Sequence, residues 1–305
     1  MPCYSPLTGY RSRSVNASGK RSIVFSPHQG FRDMPVKLPC GQCIGCRLER
    51  SRQWAIRCVH EAQLYDRNSF ITLTYSDENL PKDASLNVED WQKFMKRLRK
   101  RYGKGVKYFH CGEYGEQFGR PHYHAILFNL DFSDKELLCR RKDGDLYVSE
   151  SLERLWTLGH SSIGDVTFES AAYVARYVTK KITGKNALHH YNKIDLQTGE
   201  ILAERRPEYQ TSSKAEAIGR AWLEKYMTDV YPDDFVVLRG KKLKPPRYYN
   251  SRYELAYPSE YASLRAARTQ AAKNPKHEAN NTWERLAVRE HIQKEKAKLL
   301  LRSLK

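Results

Sequence analysis

An α+β fold, an antiparallel sheet with helices packed on it, is predicted by three observations. Short β-branched and aromatic runs alternate with amphipathic stretches. Two of those runs flank a turn-rich segment and read as a hairpin. The central elements follow one another as β-α-β-β-α-β-α, a ferredoxin-like order. The 305 residues suffice for one or two domains, and 40% hydrophobic residues can fill a core. With 29% charged and 11% aromatic residues, the composition is not that of a disordered chain.

The elements follow in order. Residues 1–39 carry Pro, Gly, Ser and basic side chains without steady periodicity, which predicts an irregular arm. After Cys40-Gly41-Gln42-Cys43-Ile44-Gly45-Cys46, the apolar residues Trp54, Cys58, Val59, Ala62 and Tyr65 recur at helical spacing among arginines. Residues 1–66 therefore form a Cys-containing arm and helix. Phe70-Ile71-Thr72-Leu73-Thr74-Tyr75 reads as a strand. Asn87 is a suitable N-cap for a helix whose first turn carries Glu89 and Asp90, whose stripe is Trp91, Phe94, Leu98 and Tyr102, and which stops at Gly103. Its other face, with Lys93, Lys96, Arg97, Arg99, Lys100 and Arg101, is either simply solvated or suited to a phosphate backbone. Lys107–Glu113 and His122–Asn129 read as the hairpin strands, with Gly115–Arg120 between them. Glu150–Leu158 reads as a helix, Ser162–Phe168 as a strand and Ser170–Ile182 as a helix, completing a core over 67–185. Residues 186–305 form a basic, Tyr-rich C-terminal region. Within it, Ser213–Tyr226 and 282–305 read as helices. Between them Tyr248, Tyr249, Tyr253, Tyr257 and Tyr261 stand among Lys and Arg, either stacking on unpaired bases or packing an ordinary loop.

Lys and Arg number 53 against 35 Asp and Glu, a net charge of +18, and there are 20 tyrosines. Excess lysine alone can serve solubility, but this imbalance interleaved with aromatics points to nucleic acid. Apolar runs of about the size of Ala125–Phe128, far short of the ~18 residues of a membrane span, and the absence of a secretory signal lead us to expect a soluble intracellular protein without a membrane partner. No P-loop pattern occurs, which argues against a nucleotide-driven motor in this chain.

His122 and His124 stand two apart in a strand pattern, so both imidazoles face one side and can reach one metal ion. Glu113 on the preceding strand would complete a two-His, one-carboxylate site with positions open for substrate oxygens; Glu116 is the alternative, further into the turn. Tyr173 and Tyr177, four apart, share a helix face, with Lys180 about one turn further on and Lys181 beside it. Two half-buried tyrosines anchoring a helix would look the same. A phenol with a pKa near ~10 needs a polarised phosphate or a cation to become a nucleophile.

Together these strings resemble the HUH superfamily of rolling-circle replication initiators. The family's first motif is similar to Phe70–Tyr75, its second to Pro121-His122-Tyr123-His124 with an upstream acid matched by Glu113, and its third to Tyr173–Lys180. The paired tyrosines resemble the two-tyrosine branch. Pro39-Cys40-Gly41-Gln42-Cys43-Ile44-Gly45-Cys46-Arg47 and Pro245-Pro246-Arg247-Tyr248-Tyr249 are similar to the initiators of gokushovirus-type microviruses over most of the chain. The order, histidines before tyrosines, is that of replication initiators rather than relaxases. The resemblance implies a metal-dependent endonuclease with strand-joining activity. Its metal ligands would be His122, His124 and Glu113, binding Mg²⁺ or Mn²⁺, with Tyr173 and Tyr177 as nucleophiles and Lys180 (or Lys181) steadying charge. It further implies single-stranded DNA and a replicative-form origin as partners, a host helicase and polymerase, and action in the host bacterial cytoplasm. A non-catalytic DNA-binding module of the same fold is the alternative. RNA binding would leave the paired tyrosines without a role.

Seven cysteines without a signal peptide argue against a disulfide framework. Cys58, Cys111 and Cys139 are isolated and read as reduced. Cys40, Cys43 and Cys46 are spaced to face one Zn²⁺, with Cys3 as a fourth ligand. The other reading is three reduced cysteines around a turn made by Gly41 and Gly45. No fourth Cys follows at short range, where Glu49 stands, which argues against an iron–sulfur cluster.

Overall fold

The computed structural model describes residues 3–17, 19–115, 119–141, 144–177, 186–195, 197–275 and 279–300. The chain forms two compact units, Met1–Arg50 with Ala267–Lys305, and Ser51–Ala266. In the first, the expected irregular arm is instead built of strands. β1 (Leu7–Ser12), β2 (Ile23–Val24) and β3 (Gly30–Leu38) pair antiparallel in the order β2-β1-β3. Periodicity could not reveal them because the sheet buries so little: Leu7, Ile23 and Met34 all stay exposed. This unit also holds the start of α1 (Ile44–Ala62) and the terminal helix Trp283–Leu300 foreseen from its sequence.

The second unit is organised on a seven-stranded antiparallel sheet. Its strands are β4 (Asn68–Tyr75), β5 (Lys107–Tyr114), β6 (Pro121–Phe128), β7 (Lys135–Cys139), β8 (Leu146–Ser149), β9 (Gly159–Gly164) and β12 (Tyr209–Ser212), in the order β12-β5-β6-β4-β9-β8-β7. The helices are the rest of α1, α2 (Val88–Tyr102), α3 (Glu150–Leu155), α4 (Phe168–Tyr177) and α5 (Asn186–Tyr191), with the small hairpin β10 (Asn192–Ile194) and β11 (Ile201–Glu204) following. The α+β architecture and the central β-α-β-β-α-β-α order are as expected. The edge pairs β7–β8 and β12–β5 are additions whose sequences carry little alternation.

Strand alternation divides the core in two. Ile71, Leu73 and Tyr75 of β4 and Tyr123, Ala125 and Leu127 of β6 face Trp91, Phe94, Met95 and Leu98 of α2 and Leu152 and Leu155 of α3. On the other face Phe109, Cys111, Ile126 and Phe128 meet Ala55 and Cys58 of α1 and Ala171, Val174 and Ala175 of α4. The helices thus form layers on both faces. α2 is capped as its sequence predicts: the Asn87 side chain accepts from the Glu89 N–H at 3.2 Å, and Gly103 ends the helix at φ +89°. On its basic face Arg97 is spent on the Leu155 carbonyl, whereas Lys93, Lys96, Lys100 and Arg101 are exposed. At Gly159, φ is +151° and a β-carbon would stand 2.2 Å from the Ser76 nitrogen, so only glycine lets β9 begin against the end of β4.

A third cluster joins Ile56 of α1 to Leu223, Val230, Tyr231, Val236, Tyr249 and Tyr253, carried by α6 (Arg220–Lys225), α7 (Met227–Val230), β13 (Val236–Leu238) and α8 (Arg247–Ala256). It corrects the idea of an open tyrosine stacking surface. Tyr249 is fully buried and Tyr253 is 8% exposed and stacked on Tyr231 at 4.0 Å. Of the five tyrosines, Tyr257 alone is exposed.

His60 lies in the same region, 3.5 Å centroid to centroid from Trp222 and with Nδ1 3.0 Å from the Tyr249 hydroxyl. Burial pulls its pKa from 6.5 down to about 3. The unfolded chain therefore binds a proton that the folded chain refuses. The stability present above pH ~6.5 is lost as pH falls towards 3, at up to ~1.4 kcal/mol per pH unit. Urea unfolding between pH 7 and 5 is expected to show this slope, and His60→Gln to flatten it.

Candidate active site

The hairpin register sets the site. Glu113 of β5 pairs directly with His122 of β6, and Thr72 of β4 pairs with His124. Residues facing one another across strands project to the same side, so Glu113, His122, His124 and Thr72 share the face that α4 covers. The ligand atoms of Glu113, His122 and His124 lie within 4.8 Å of one another. Nε2 of His122 stands 2.8 Å and Nε2 of His124 2.9 Å from the same carboxylate oxygen, Glu113 Oε1. Glu113 is 1% exposed. Burial alone would raise its carboxyl pKa, but the two imidazoles outweigh burial and hold it below the usual carboxylate value.

The far side of each imidazole is also engaged. His122 Nδ1 lies 3.0 Å from the Arg120 carbonyl oxygen, to which it can only donate. His124 Nδ1 lies 2.9 Å from the Thr72 hydroxyl. Once Nδ1 of His122 is committed as donor, a neutral ring presents the Nε2 lone pair towards the carboxylate, an arrangement that a shared cation relieves. The donor set, two imidazole nitrogens and one carboxylate, fits a divalent cation with room for oxygen ligands. The triad could hold a metal ion.

The tyrosine helix is fixed at its start by a reciprocal cap: the Ser170 N–H donates to Thr167 Oγ1 at 3.1 Å, and the Thr167 N–H to Ser170 Oγ at 2.8 Å. Ser51 of α1 donates to the Ala172 carbonyl at 3.1 Å. The Tyr173 ring meets His124 edge-on with centroids 5.1 Å apart and touches Phe70 at 6.4 Å. The sheet site and this tyrosine are thereby brought together. Tyr177 is the last described residue of α4; its side chain, and all of Glu116, Lys180 and Lys181, lie outside the described residues. Arg176, which sequence reasoning did not select, has its guanidinium carbon 5.9 Å from the Tyr173 ring centre. Thr72 was missed as well, because only the strand register sets it against His124.

In the first unit, the sulfurs of Cys3, Cys40, Cys43 and Cys46 also lie within 4.8 Å of one another, a set that could hold zinc. Burial raises the Cys40 thiol, but N–H donors from Cys43 and Gln42 outweigh it and bring its pKa to about 7. Cys58 and Cys111 are buried and Cys139 half-buried, none of them in a disulfide. Among the described residues no helix is long and apolar enough to cross a membrane.

The model of the family described as "Replication-associated protein ORF2/G2P" matches residues 68–182, the stretch that carries the triad and α4. Replication-associated protein VP4 of Bdellovibrio phage phiMH2K is 35% identical over 273 residues, spanning 86% of this chain and 80% of that protein. Replication-associated protein ORF2 of Spiroplasma virus 4 is 34% identical over 238 residues, spanning 73% of this chain and 70% of its own length. Replication-associated protein ORF4 of Chlamydia phage 1 is 32% identical over 232 residues, 73% of this chain and 54% of that protein. No solved structure matches significantly.

Proposed function

Because this chain belongs to the replication-associated protein ORF2/G2P family of small phages, we propose that it starts rolling-circle replication by nicking one DNA strand at the origin and later rejoins the displaced strand into a circle. The observation that carries this reading is the Tyr173 ring set against His124, whose Nε2 shares Glu113 Oε1 with His122. A phenol beside a metal-ligand set has the parts for transesterification of a phosphodiester.

Glu113, His122 and His124 would hold Mg²⁺ or Mn²⁺, which when bound would supply charge withdrawal at the scissile phosphate. Thr72 and the Arg120 carbonyl orient the two imidazoles. A tyrosine oxygen forms a bond to phosphorus as the bond from phosphorus to the 3′ oxygen breaks, and the phenolic proton is balanced by the proton gained by the released 3′-OH. The 5′ end stays on the protein and the 3′-OH primes a polymerase. The phosphodiester energy is kept in the phosphotyrosine, so joining needs no ATP. Tyr173 and Tyr177 share the two cleavages of a replication round, with Lys180 steadying the phenolate or phosphate charge. Single-stranded DNA and the replicative-form origin are the substrates, in the cytoplasm of a bacterial host whose helicase and polymerase do the unwinding and synthesis.

Incubation with single-stranded DNA of the parent replicon and Mn²⁺ is expected to give a protein-linked 5′ fragment on a denaturing gel, and EDTA to abolish it. Tight binding with no adduct on any sequence of that replicon would favour a non-catalytic DNA-binding module instead.

A further inference from the structure

We propose that Cys3, Cys40, Cys43 and Cys46 bind one zinc ion as a closed tetrathiolate site that holds the first unit together. Four sulfurs from two distant stretches of chain converge within 4.8 Å of one another. Four thiolates with no open position make a structural rather than a catalytic zinc site.

The backbone around the cluster is arranged for thiolates. The Tyr4 N–H donates to Cys43 Sγ at 3.3 Å, the Cys40 N–H to Cys3 Sγ at 3.2 Å and the Cys43 N–H to Cys40 Sγ at 3.3 Å. Such donors lower the cost of negative sulfur and orient it, the part that outer-shell groups play around metal ligands. Gly41, at φ +76°, makes the tight turn between Cys40 and Cys43, a conformation that side chains oppose. α1 begins at Ile44, immediately after Cys43, so its positive end faces the cluster, and Cys46 lies in its first turn. The Arg50 guanidinium comes within 3.8 Å of where a Gly41 β-carbon would stand. These charges offset the two net negative charges that zinc with four thiolates carries.

A second, independent observation is the thinness of the surrounding fold. None of the three buried apolar clusters includes a described residue of this unit. Its buried apolar side chains, among the described residues, are Tyr4, Cys46 and Leu286, whereas Leu7, Val15, Ile23, Phe25 and Met34 are exposed. A small unit without a core needs a disulfide, a metal or a partner to be stable. The sulfurs are free thiols rather than disulfides, and their convergence favours the metal over a partner. Its binding energy would then be the folding energy of the segment, and Cys3 ties residues preceding β1 to the start of α1.

The test uses the full-length chain carrying His122→Ala and His124→Ala, so that metal at the triad does not contribute and nuclease activity is not the readout. Protein purified without chelator is expected to contain about one zinc per chain. Exchange with Co²⁺ is expected to give the visible bands of tetrahedral cobalt with sulfur-to-cobalt charge transfer. Cys3→Ser is expected to weaken binding by about 100-fold or more and to open residues 3–38 to limited proteolysis, while Cys139→Ser changes neither. If Cys3→Ser does not fold, the cobalt spectrum of the chain with all seven cysteines decides. Protein free of metal, with the four cysteines reacting with a thiol reagent as fast in added zinc as without it, would overturn the proposal. So would a mass lower by two hydrogen atoms per cysteine pair, or iron in place of zinc.

Discussion

Glu113→Gln is expected to abolish the protein–DNA adduct as completely as the double change Tyr173→Phe/Tyr177→Phe, with DNA binding retained. The substitution keeps the size of the side chain but removes the charge from the one oxygen that both imidazole Nε2 atoms share at 2.8 and 2.9 Å. An amide is a poor ligand for a hard cation beside two imidazoles. Removing a group that merely orients a metal ligand costs about 10–100-fold, and removing the ligand itself more, so a loss of at least ~100-fold in adduct yield is predicted. Thr72→Val, which strips the hydroxyl from His124 Nδ1, belongs at the lower end of that range. The two tyrosine variants separate the steps: either single change should keep one cleavage if the phenols alternate, and the double change should keep none. Adducts on denaturing gels and anisotropy of a labelled oligonucleotide read cleavage and binding apart. A Glu113→Gln protein that still cleaves within ~3-fold of wild type would remove the carboxylate from the proposed metal set.

The largest loss of stability is expected from Lys107→Met. Glu61 of α1 is completely buried, yet its carboxylate meets Lys107 Nζ at 2.8 Å and accepts from the Gly219 N–H at 2.6 Å. Lys107 also pairs with Glu216 at 2.6 Å. These bonds join α1, the first residue of β5 and the turn that precedes α6. Burial works against the Lys107 ammonium, but its two carboxylate partners outweigh burial and raise its pKa above the ordinary lysine value. Deleting the cation strands a carboxylate inside the fold, which costs about 3–5 kcal/mol. That is a large part of the ~5–15 kcal/mol by which domains are stable. The paired change Lys107→Met/Glu61→Leu should recover part of the loss, because no fully buried lone charge then remains and Glu216 is open to solvent, though the Gly219 N–H loses its acceptor at about 1–3 kcal/mol. Urea unfolding of the two singles and the double reads the coupling; a double variant less stable than the sum of the singles would contradict it.

The part of the fold that carries the triad was legible because it is written in local periods. Phe70–Tyr75 alternates, Trp91, Phe94 and Leu98 repeat at helical spacing, and His122 and His124 stand two apart, so Glu113 could be chosen from the hairpin alone. Element bounds differ by a few residues, as with β9 at Gly159–Gly164 and the start of α4 at Phe168. What stayed hidden depends on distant pairing. β12, Tyr-Gln-Thr-Ser, becomes a strand because β5 offers it an edge, not because it alternates. β1 and β3 lack a buried face to leave a pattern. Thr72 looks like any strand threonine until the register sets it against His124. The tyrosines at 249 and 253 show the converse, since a Lys/Arg/Tyr-rich string reads as surface although two of its rings are interior.

The small side chains of α4 have a consequence for the reach of its tyrosines. Ala171 and Ala175 are completely buried against the sheet, with Val174 between them. Each contributes a single methyl group, so small side chains let the helix pack against β5 and β6. In the proposed reaction the phenol of Tyr173 would then be positioned by a helix seated on the sheet rather than by a loop.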